Sequence, residues 1–501
     1  MEELINLEEG DTTHINRFRR RTKILATINP GHCTPHRVEA MIRAGMDATR
    51  HNLSHGQVKD HIEVIELIRK VSANLKPVGI VVDLQGPKLR ILAFNNCESV
   101  TLRTGQQFIL DAECGENHGN ENRVGIDYKD LINDVKAGDR IGLADGLLTI
   151  EVKEVKNAEI ICKVITGGVL FARKGLNKIG GGLSAPALTQ KDREDIKAIA
   201  SCQPDYFALS FVKSAADIRE LRQLLKAEGC EAAIIAKIER HEAIHNIHEI
   251  VLEADAIMIA RGDLGVEVGD PHLPGYQKQF IKLARGLNRC VITATQMMES
   301  MIENPVPTRA EVFDVANAVL DGTDAVMLSG ETAVGKYPVK VIGTMANIVV
   351  GAEQERQSRI SHHRIEERFA HVEESIAMSA MFAVNHHSKE NNDELSIRSI
   401  FALTESGQTC IYMSRISSGV SIFALSPKAE SVTRLTLYRG VYPVHFMPVA
   451  TNHEAVISEI LEKVRTIYPD YVRSGDLVLI TKGATIGEAG GTNMMQIVTI
   501  N

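Results

Sequence analysis

A (β/α)8 barrel, interrupted by a small inserted β domain and followed by a separate α/β domain with a mostly parallel sheet, is the fold class the chain predicts. Three observations lead there. Short apolar runs alternate with helical patterns across residues 22–88 and again across 187–355, the rhythm of a parallel sheet built from βα units. Residues 89–186 lose that rhythm and carry turn pairs instead. The alternation then restarts as a third region over 356–501.

Taken in order, residues 1–21 read as a polar lead-in. Strand-like runs follow at Lys23 to Ile28, Asp47 to Leu53 and Val78 to Leu84, with helical patterns at Pro35 to Ala44 and Gln57 to Val71 between them. The inserted stretch holds Gly138-Asp139 and Asp145-Gly146 turns and the alternating run Leu147 to Val155, with no long amphipathic helix. Gly180-Gly181-Gly182 near its end is either a hinge or a plain flexible loop. A helix is predicted over Thr189 to Ser201, then strands at Tyr206 to Phe211, Ala232 to Glu239, Ala256 to Ala260, Cys290 to Ala294 and Asp324 to Leu328. Three strands before the insertion and five after it give the eight of a TIM barrel, whose functional residues sit at the C-terminal strand ends. In the third region Val372 to His386 is an amphipathic helix, Ser396 to Leu403 a strand, and Leu477 to Thr481 and Gln496 to Ile500 terminal strands.

Composition excludes several classes. With 44% hydrophobic and 24% charged residues over 501 positions, the chain is a soluble globular protein of two to four domains. A net charge of -8 argues against nucleic acid as a partner. The basic run Arg17 to Lys23 reads as a solvated or interface-facing segment, with an anion contact as the alternative. Eight scattered cysteines without a C-x-x-C suit a reducing cytosol, and Cys162, Cys230 and Cys290 in apolar runs read as buried small hydrophobes. The acidic start lacks the pattern of a signal peptide, and no apolar stretch reaches the roughly 20 residues that cross a bilayer. A cytoplasmic location away from membranes is expected.

The chemistry concentrates between Ala232 and Ile244. An apolar run leads into Lys237, Ile238 and Glu239, so the ammonium and the carboxylate project from one strand face. That pattern suits a metal site with a fixed cation beside it, or more plainly a salt-bridged strand end. Glu239 and Asp263, at neighbouring strand ends, offer the hard oxygen donors that Mg2+ or Mn2+ takes; a pair of solvated acids is the bland alternative. Arg261-Gly262-Asp263-Leu-Gly265 after a strand would let a ligand approach the backbone and, if a helix starts there, present free N–H groups to a carboxylate. Met297, Met298 and Met301 at helical spacing read as core.

Ile235-Ala-Lys237-Ile-Glu239 resembles the active-site signature of the pyruvate kinases. So, in the family's order, do Arg50-His-Asn52-Leu-Ser54-His55-Gly56, Asp83-Leu-Gln-Gly-Pro-Lys88-Leu-Arg90, Ala260-Arg-Gly-Asp263-Leu-Gly265, Ala294-Thr295-Gln296-Met297-Met298-Glu299-Ser300 and Met327-Leu-Ser329-Gly-Glu331-Thr332. The resemblance implies transfer of a phosphoryl group from phosphoenolpyruvate to ADP, giving pyruvate and ATP. It implies Lys237 on the transferring phosphoryl, Arg50 gripping the phosphate, and Arg90 as a further fixed cation. Gly262, Asp263 and Thr295 would meet the substrate, and Thr295 would serve proton delivery through a relay with Ser329 and Glu331. The plainer role of Thr295 is a helix N-cap. Pro30, Asn52, His55 and Lys174 fall on the nucleotide side.

Lys88 is the sharpest inference. Members of the family that need K+ carry Glu at this position and members that do not carry Lys; Leu84 and Gln85 match the second group. An ammonium could stand where the monovalent cation would. Asn52, Ser54 and Asp83, ligands of the K+ type, are present nonetheless, and a solvated lysine at the barrel mouth is the bland alternative. The first loop, Ile28-Asn29-Pro30-Gly31-His32, and Leu53 depart from the family pattern and bear on the nucleotide contacts. The inserted domain would act as a lid.

In the third region Thr404, Ser406, Gly407, Gln408 and Thr409 form a loop between a strand and a helix, either an anion cradle or ordinary capping. In similar pyruvate kinases a final Gly-rich loop, here Gly483 to Thr492 with Gly491, closes over a phosphorylated effector. Glu405 and Gln408, and the absence of Trp and Arg from the last loop, point to a sugar monophosphate or AMP, or to no activator. A homotetramer is implied by resemblance. A Mg2+-dependent barrel lyase acting on enolates and a silent metabolite sensor are the competing readings; ADP-dependent pyruvate formation excludes the first and metal-dependent turnover the second.

Overall fold

Apolar strands buried along their whole length need cover on both faces, and here they close on themselves. In the computed structural model, which describes residues 20–359, 364, 367–387, 397–450, 452–469, 471–483 and 490–500, eight parallel strands form a closed barrel. They are Lys23–Thr27, Ala48–Asn52, Gly79–Asp83, Tyr206–Leu209, Ala233–Ile238, Ala256–Ala260, Cys290–Ala294 and Ala325–Leu328. The register runs in step around the ring: Lys237 pairs with Met258, and Ala260 with Ala294. Met297, Met298 and Met301 are fully buried, as are Cys290 and Cys410, with Cys162 and Cys230 nearly so. The lead-in up to residue 19, which includes part of the basic run, lies outside the described residues.

The chain divides into two compact units: Met1–Arg50 with Glu63–Ile80 and Met297–Asn501, and His51–Ile62 with Val81–Gln296. The second unit carries the inserted β domain. Its six-stranded sheet runs, in order across the sheet, Leu176–Lys178, Arg140–Leu143, Leu148–Lys156, Glu159–Thr166, Gln107–Asp111 and Arg123–Gly125. Alternate residues such as Phe108, Leu110, Ile150, Ile160 and Val164 point into its own core. The only helix described within it is the single turn Leu131–Asp134.

The first unit carries the third region, a five-stranded sheet in which Val441–His445, Ser421–Ser426, Ile397–Leu403 and Leu477–Gly483 are parallel and Thr492–Thr499 runs antiparallel along the edge. The last strand begins earlier than the predicted Gln496, because Met494 and Met495 break the alternation that marks a strand in sequence. Phe423, Tyr442, Tyr468 and Tyr471 pack ring against ring with centroids 5.2 to 5.9 Å apart.

A network of buried charges joins this sheet to the starts of the barrel strands in the same unit. Arg415, fully buried, holds Asp324 in a two-pronged bond of 2.6 and 3.0 Å. Glu353 accepts the Arg21 and Thr22 amides at 2.8 and 2.7 Å. Asp47 is held by Arg20 at 2.7 Å and Lys76 at 2.8 Å, which keeps its carboxyl below the ordinary range against the cost of burial. Lys23 lies with its ammonium 4.2 Å from the centre of the Tyr442 ring.

Candidate active site

The fifth barrel strand ends in the feature its sequence foretells. Lys237 and Glu239, two residues apart, share a face, and Lys237 Nζ stands 3.0 Å from Glu239 Oε1. The same ammonium lies 3.2 Å from Asp83 Oδ1, at the end of the third strand, and donates to Ser210 Oγ at 2.7 Å. Ser210 in turn donates to the Leu84 carbonyl at 2.7 Å. Two carboxylates and a hydroxyl from three neighbouring strands therefore fix one cation. The Lys237 side chain keeps 11% of its surface open, so it is held without being sealed.

Glu239 is almost fully buried, and its other oxygen accepts the Phe211 amide at 2.8 Å. Burial raises its carboxyl, the neighbouring Lys237 charge opposes this, and the Asp263 charge adds to it. Two carboxylates crowded in this way are relieved by a divalent cation between them, so the donor set fits one. Among the described residues no cluster of three His, Cys, Asp or Glu forms a complete cage.

Asp263 sits in the first turn of the helix Arg261–Val268. Its Oδ1 lies 3.7 Å from Lys88 Nζ, so the nearest carboxylate to Lys88 is Asp263, while Asp83 is taken by Lys237. The Gly262 amide, expected to be free for a ligand, donates to Thr295 Oγ1 at 2.8 Å. Thr295 thus caps the start of a helix from another segment. Its backbone is left-handed at φ 67, followed by Gln296 at φ 53, a costly pair for residues other than glycine. Arg261 anchors this turn, donating to the carbonyls of Ala294 at 3.2 Å and Thr295 at 2.7 Å.

Other expected residues fall outside the Lys237 cluster. Arg90 is carried on the inserted domain, where its guanidinium donates to the Arg173 carbonyl at 3.3 Å. Lys174 is exposed, with its carbonyl accepting the Ile91 amide at 3.0 Å. Asn52 Oδ1 accepts the Ser54 amide at 3.2 Å, and His55 lies exposed with its carbonyl bonded to His61. In the other unit, Arg50 donates to Thr27 Oγ1 at 3.1 Å, and Pro30 opens the short turn Pro30–His32. Both oxygens of Glu331 are engaged by backbone amides, Met298 at 3.2 Å and Ser329 at 2.6 Å, so this acid braces the Ser329 turn.

Three supporting positions are not picked out by any sequence pattern. Ser210 and Phe211 close the fourth strand, and position at a strand end was their only signal. Glu267 pins the His241 amide at 2.8 Å and is pushed up by burial to about 7.

In the third region a cavity of about 770 Å³ is lined by Thr404, Glu405, Ser406, Thr409, Lys482 and Thr492 over an apolar floor. Gly407 turns at φ 84 and its amide donates to Thr404 Oγ1 at 3.0 Å; the Gln408 amide lies 3.4 Å from Ser406 Oγ. Gly491 adjoins this lining, and residues 484–489 of the same loop lie outside the described residues.

Comparison with known proteins bears on the family. The family model for the pyruvate kinase barrel domain matches residues 19–342, and that for the pyruvate kinase alpha/beta domain matches residues 374–498. Pyruvate kinase II of Salmonella typhimurium is 47% identical over 494 residues, covering 97% of this chain and 100% of the relative. Pyruvate kinase of Haemophilus influenzae is 46% identical, covering 94% of this chain and 97% of its own length. Pyruvate kinase of Staphylococcus aureus is 38% identical, with 95% of this chain and 80% of the relative covered. These relatives are phosphotransferases, whose chemistry brings phosphoenolpyruvate, ADP, ATP and pyruvate as reactants and a divalent metal as helper. Among the described residues no helix is long and apolar enough to cross a membrane. By barrel, inserted β domain, terminal α/β domain and similarity along nearly its whole length, the chain belongs to the pyruvate kinase family.

Proposed function

We propose that the chain moves the phosphoryl group of phosphoenolpyruvate to ADP, the last step of glycolysis, with Mg2+ held by Glu239 and Asp263 and with no requirement for K+. The observation that carries this reading is the Lys237 ammonium fixed by Asp83, Glu239 and Ser210. A transferring phosphoryl spreads negative charge over its outer oxygens, and a cation already in place stabilises that charge without reorganising. The divalent ion, when bound, polarises the oxygens of the substrate. By resemblance Arg50 grips the phosphate and Arg90 adds positive charge. Thr295, Ser329 and Glu331 serve delivery of the proton to the enolate, with Glu331 acting here through the turn it braces.

The Lys88 ammonium beside Asp263 supports independence from K+, because it supplies a fixed monovalent charge at the barrel mouth. We assign Pro30, Asn52, His55 and Lys174 to the nucleotide side. We take 22–88 with 187–355 as the catalytic barrel, 89–186 as a lid that excludes water, and 356–501 as a regulatory domain. The cavity beside Thr404–Thr409 supports a phosphorylated effector with a single anionic group, a sugar monophosphate or AMP, since Lys482 is the one basic side chain among its described lining. The edge strand Thr492–Thr499, with Met494, Met495 and Ile497 exposed, supports assembly of copies into a homotetramer. A cytoplasmic site of action fits this substrate set.

A coupled assay tests the whole reading. Pyruvate formation dependent on both ADP and Mg2+, in buffer free of Na+ and K+, is expected. Turnover near zero that KCl restores would reject independence from K+, and pyruvate formed without ADP would reject phosphoryl transfer in favour of a lyase.

A further inference from the structure

The chain leaves the inserted β domain through Gly180, Gly181 and Gly182, and all three adopt left-handed backbone, φ 89, 76 and 87. Glycine adopts this backbone at little cost. The Gly181 amide turns back to the Lys178 carbonyl at 3.3 Å, and the carboxylate of Glu242 stands against the turn. Its Oε1 accepts the Gly182 amide, and a Cβ placed on Gly181 would meet its carboxyl atoms at 2.9 to 3.0 Å. Its Oε2 is buried and accepts no hydrogen bond among the described residues.

Glu242 belongs to the short segment Glu239 to Glu242, which starts two residues after Lys237. Within that segment Arg240 approaches the same turn. Arg240, almost fully buried, stacks 5.4 Å from the Phe211 ring and reaches the Leu183 carbonyl at 3.5 Å. The His241 amide is pinned by Glu267, on the helix that carries Asp263. Lys213 donates to the carbonyls of Ser184 at 3.4 Å and Ala185 at 2.9 Å, closing the far side. On the domain side, Lys178 pairs with Asp139 at 3.4 Å and Ser184 accepts from, or donates to, Tyr128 at 2.9 Å.

We infer that Glu242 is a positioning residue that latches the glycine hinge of the inserted domain, tying the angle of that domain to the strand end bearing Lys237 and Glu239. The inference rests on the phosphoryl-transfer reading for its consequence, since closure of the domain completes the nucleotide side. A half-satisfied buried carboxylate is a poised contact. Its Oε2, without a donor among the described residues, leaves this residue able to stabilise a second hinge angle that brings it one.

The test uses the full chain as wild type, Glu242→Ala and Glu242→Gln, with amide hydrogen exchange across 179–185 measured beside steady-state kinetics at varied ADP. Losing a charge-assisted bond is expected to speed exchange at Gly182 roughly tenfold in Glu242→Ala. KM for ADP should rise while kcat falls less, and Glu242→Gln, which keeps an acceptor oxygen, should restore most of both. Unchanged exchange at Gly182 overturns the latch. Faster exchange spread over all barrel amides, with a lowered thermal midpoint, also overturns it by marking a packing role alone. A wild type without ADP-dependent turnover sinks the functional reading separately, because the exchange result does not depend on activity.

Discussion

Lys237 Nζ sits 3.0 Å from Glu239 Oε1, and those two residues are neighbours on one face of a strand whose other positions are all apolar and buried. The pairing keeps the ammonium aimed before substrate arrives, while Glu239 keeps a second oxygen on the Phe211 amide. Replacing Lys237 with Met should lower kcat by about a hundredfold to a thousandfold, with a much smaller change in KM for phosphoenolpyruvate, because its contact strengthens in the transition state. Steady-state kinetics check this. An equal loss through KM alone would show that the group only binds substrate.

Ser210 holds the same ammonium at 2.7 Å and hands its own proton to the Leu84 carbonyl. Ser210→Ala removes that tether and leaves the two carboxylate partners in place. A fall in kcat of roughly tenfold is expected, the size of one lost hydrogen bond to a charged group. Ser210→Thr, which keeps the hydroxyl, should recover part of it. Identical kinetics in Ser210→Ala and wild type would remove Ser210 from the machinery.

The pair Lys237 and Glu239 was legible in sequence because strand side chains repeat every two residues, so spacing alone put both on one face. The eight strands were legible for a similar reason, as fully buried runs read continuously apolar. Ser210 was not legible, since a single serine after a strand has no pattern of its own. Capping by Thr295 was legible as the plainer reading of that residue, but not that the helix it caps comes from another segment, which depends on contact between turns 33 residues apart. The joint of Lys23 with Tyr442 and of Arg21 with Glu353 lay further out of reach, because its partners stand hundreds of positions apart and no local propensity records them.

Lys88 Nζ lies 3.7 Å from Asp263 Oδ1 on partly open side chains. Lys88→Glu would place a carboxylate there and remove the fixed positive charge. Activity in buffer free of K+ should then fall by at least about tenfold and return on adding KCl, a loss matching one ion interaction near a metal site. A variant equally active with and without K+ would detach Lys88 from monovalent-cation chemistry.

Asp324 accepts both prongs of the Arg415 guanidinium and also the Arg439 amide at 3.0 Å, in a setting with almost no solvent. Removing one partner of a buried ion pair leaves the other charge without its counterpart, which costs about 3–5 kcal/mol. Asp324→Ala should therefore unfold at clearly lower urea than wild type. The double variant Asp324→Ala with Arg415→Met should recover much of the loss. A midpoint unchanged in Asp324→Ala would mean that this joint contributes nothing to stability.

Lys23 gives the joint a dependence on pH. Burial lowers its ammonium from 10.5 to about 7, with Asp47 opposing and Arg20 and Lys76 adding to the shift. Between those limits the unfolded chain binds a proton that the folded chain does not, so this group makes stability rise with pH from about 7 toward 10.5. Below 7 its cost is fully present and constant. Tyr442, raised by burial to about 12, works in the opposite sense above pH 10, where the unfolded chain loses the phenolic proton first. Lys76, lowered by burial, and buried cysteines such as Cys410, raised by burial, contribute to the same pH range, so the lysine is isolated by comparing a Lys23 variant with wild type in urea unfolding between pH 7 and 9.5. Lys23→Met removes the charge and keeps the length of the side chain over the Tyr442 ring, so it should be more stable than wild type at pH 7, by on the order of a few kcal/mol. The advantage should shrink as pH rises. A gap between the two proteins that stays constant from pH 7 to 9.5 would show that Lys23 keeps its proton in both states.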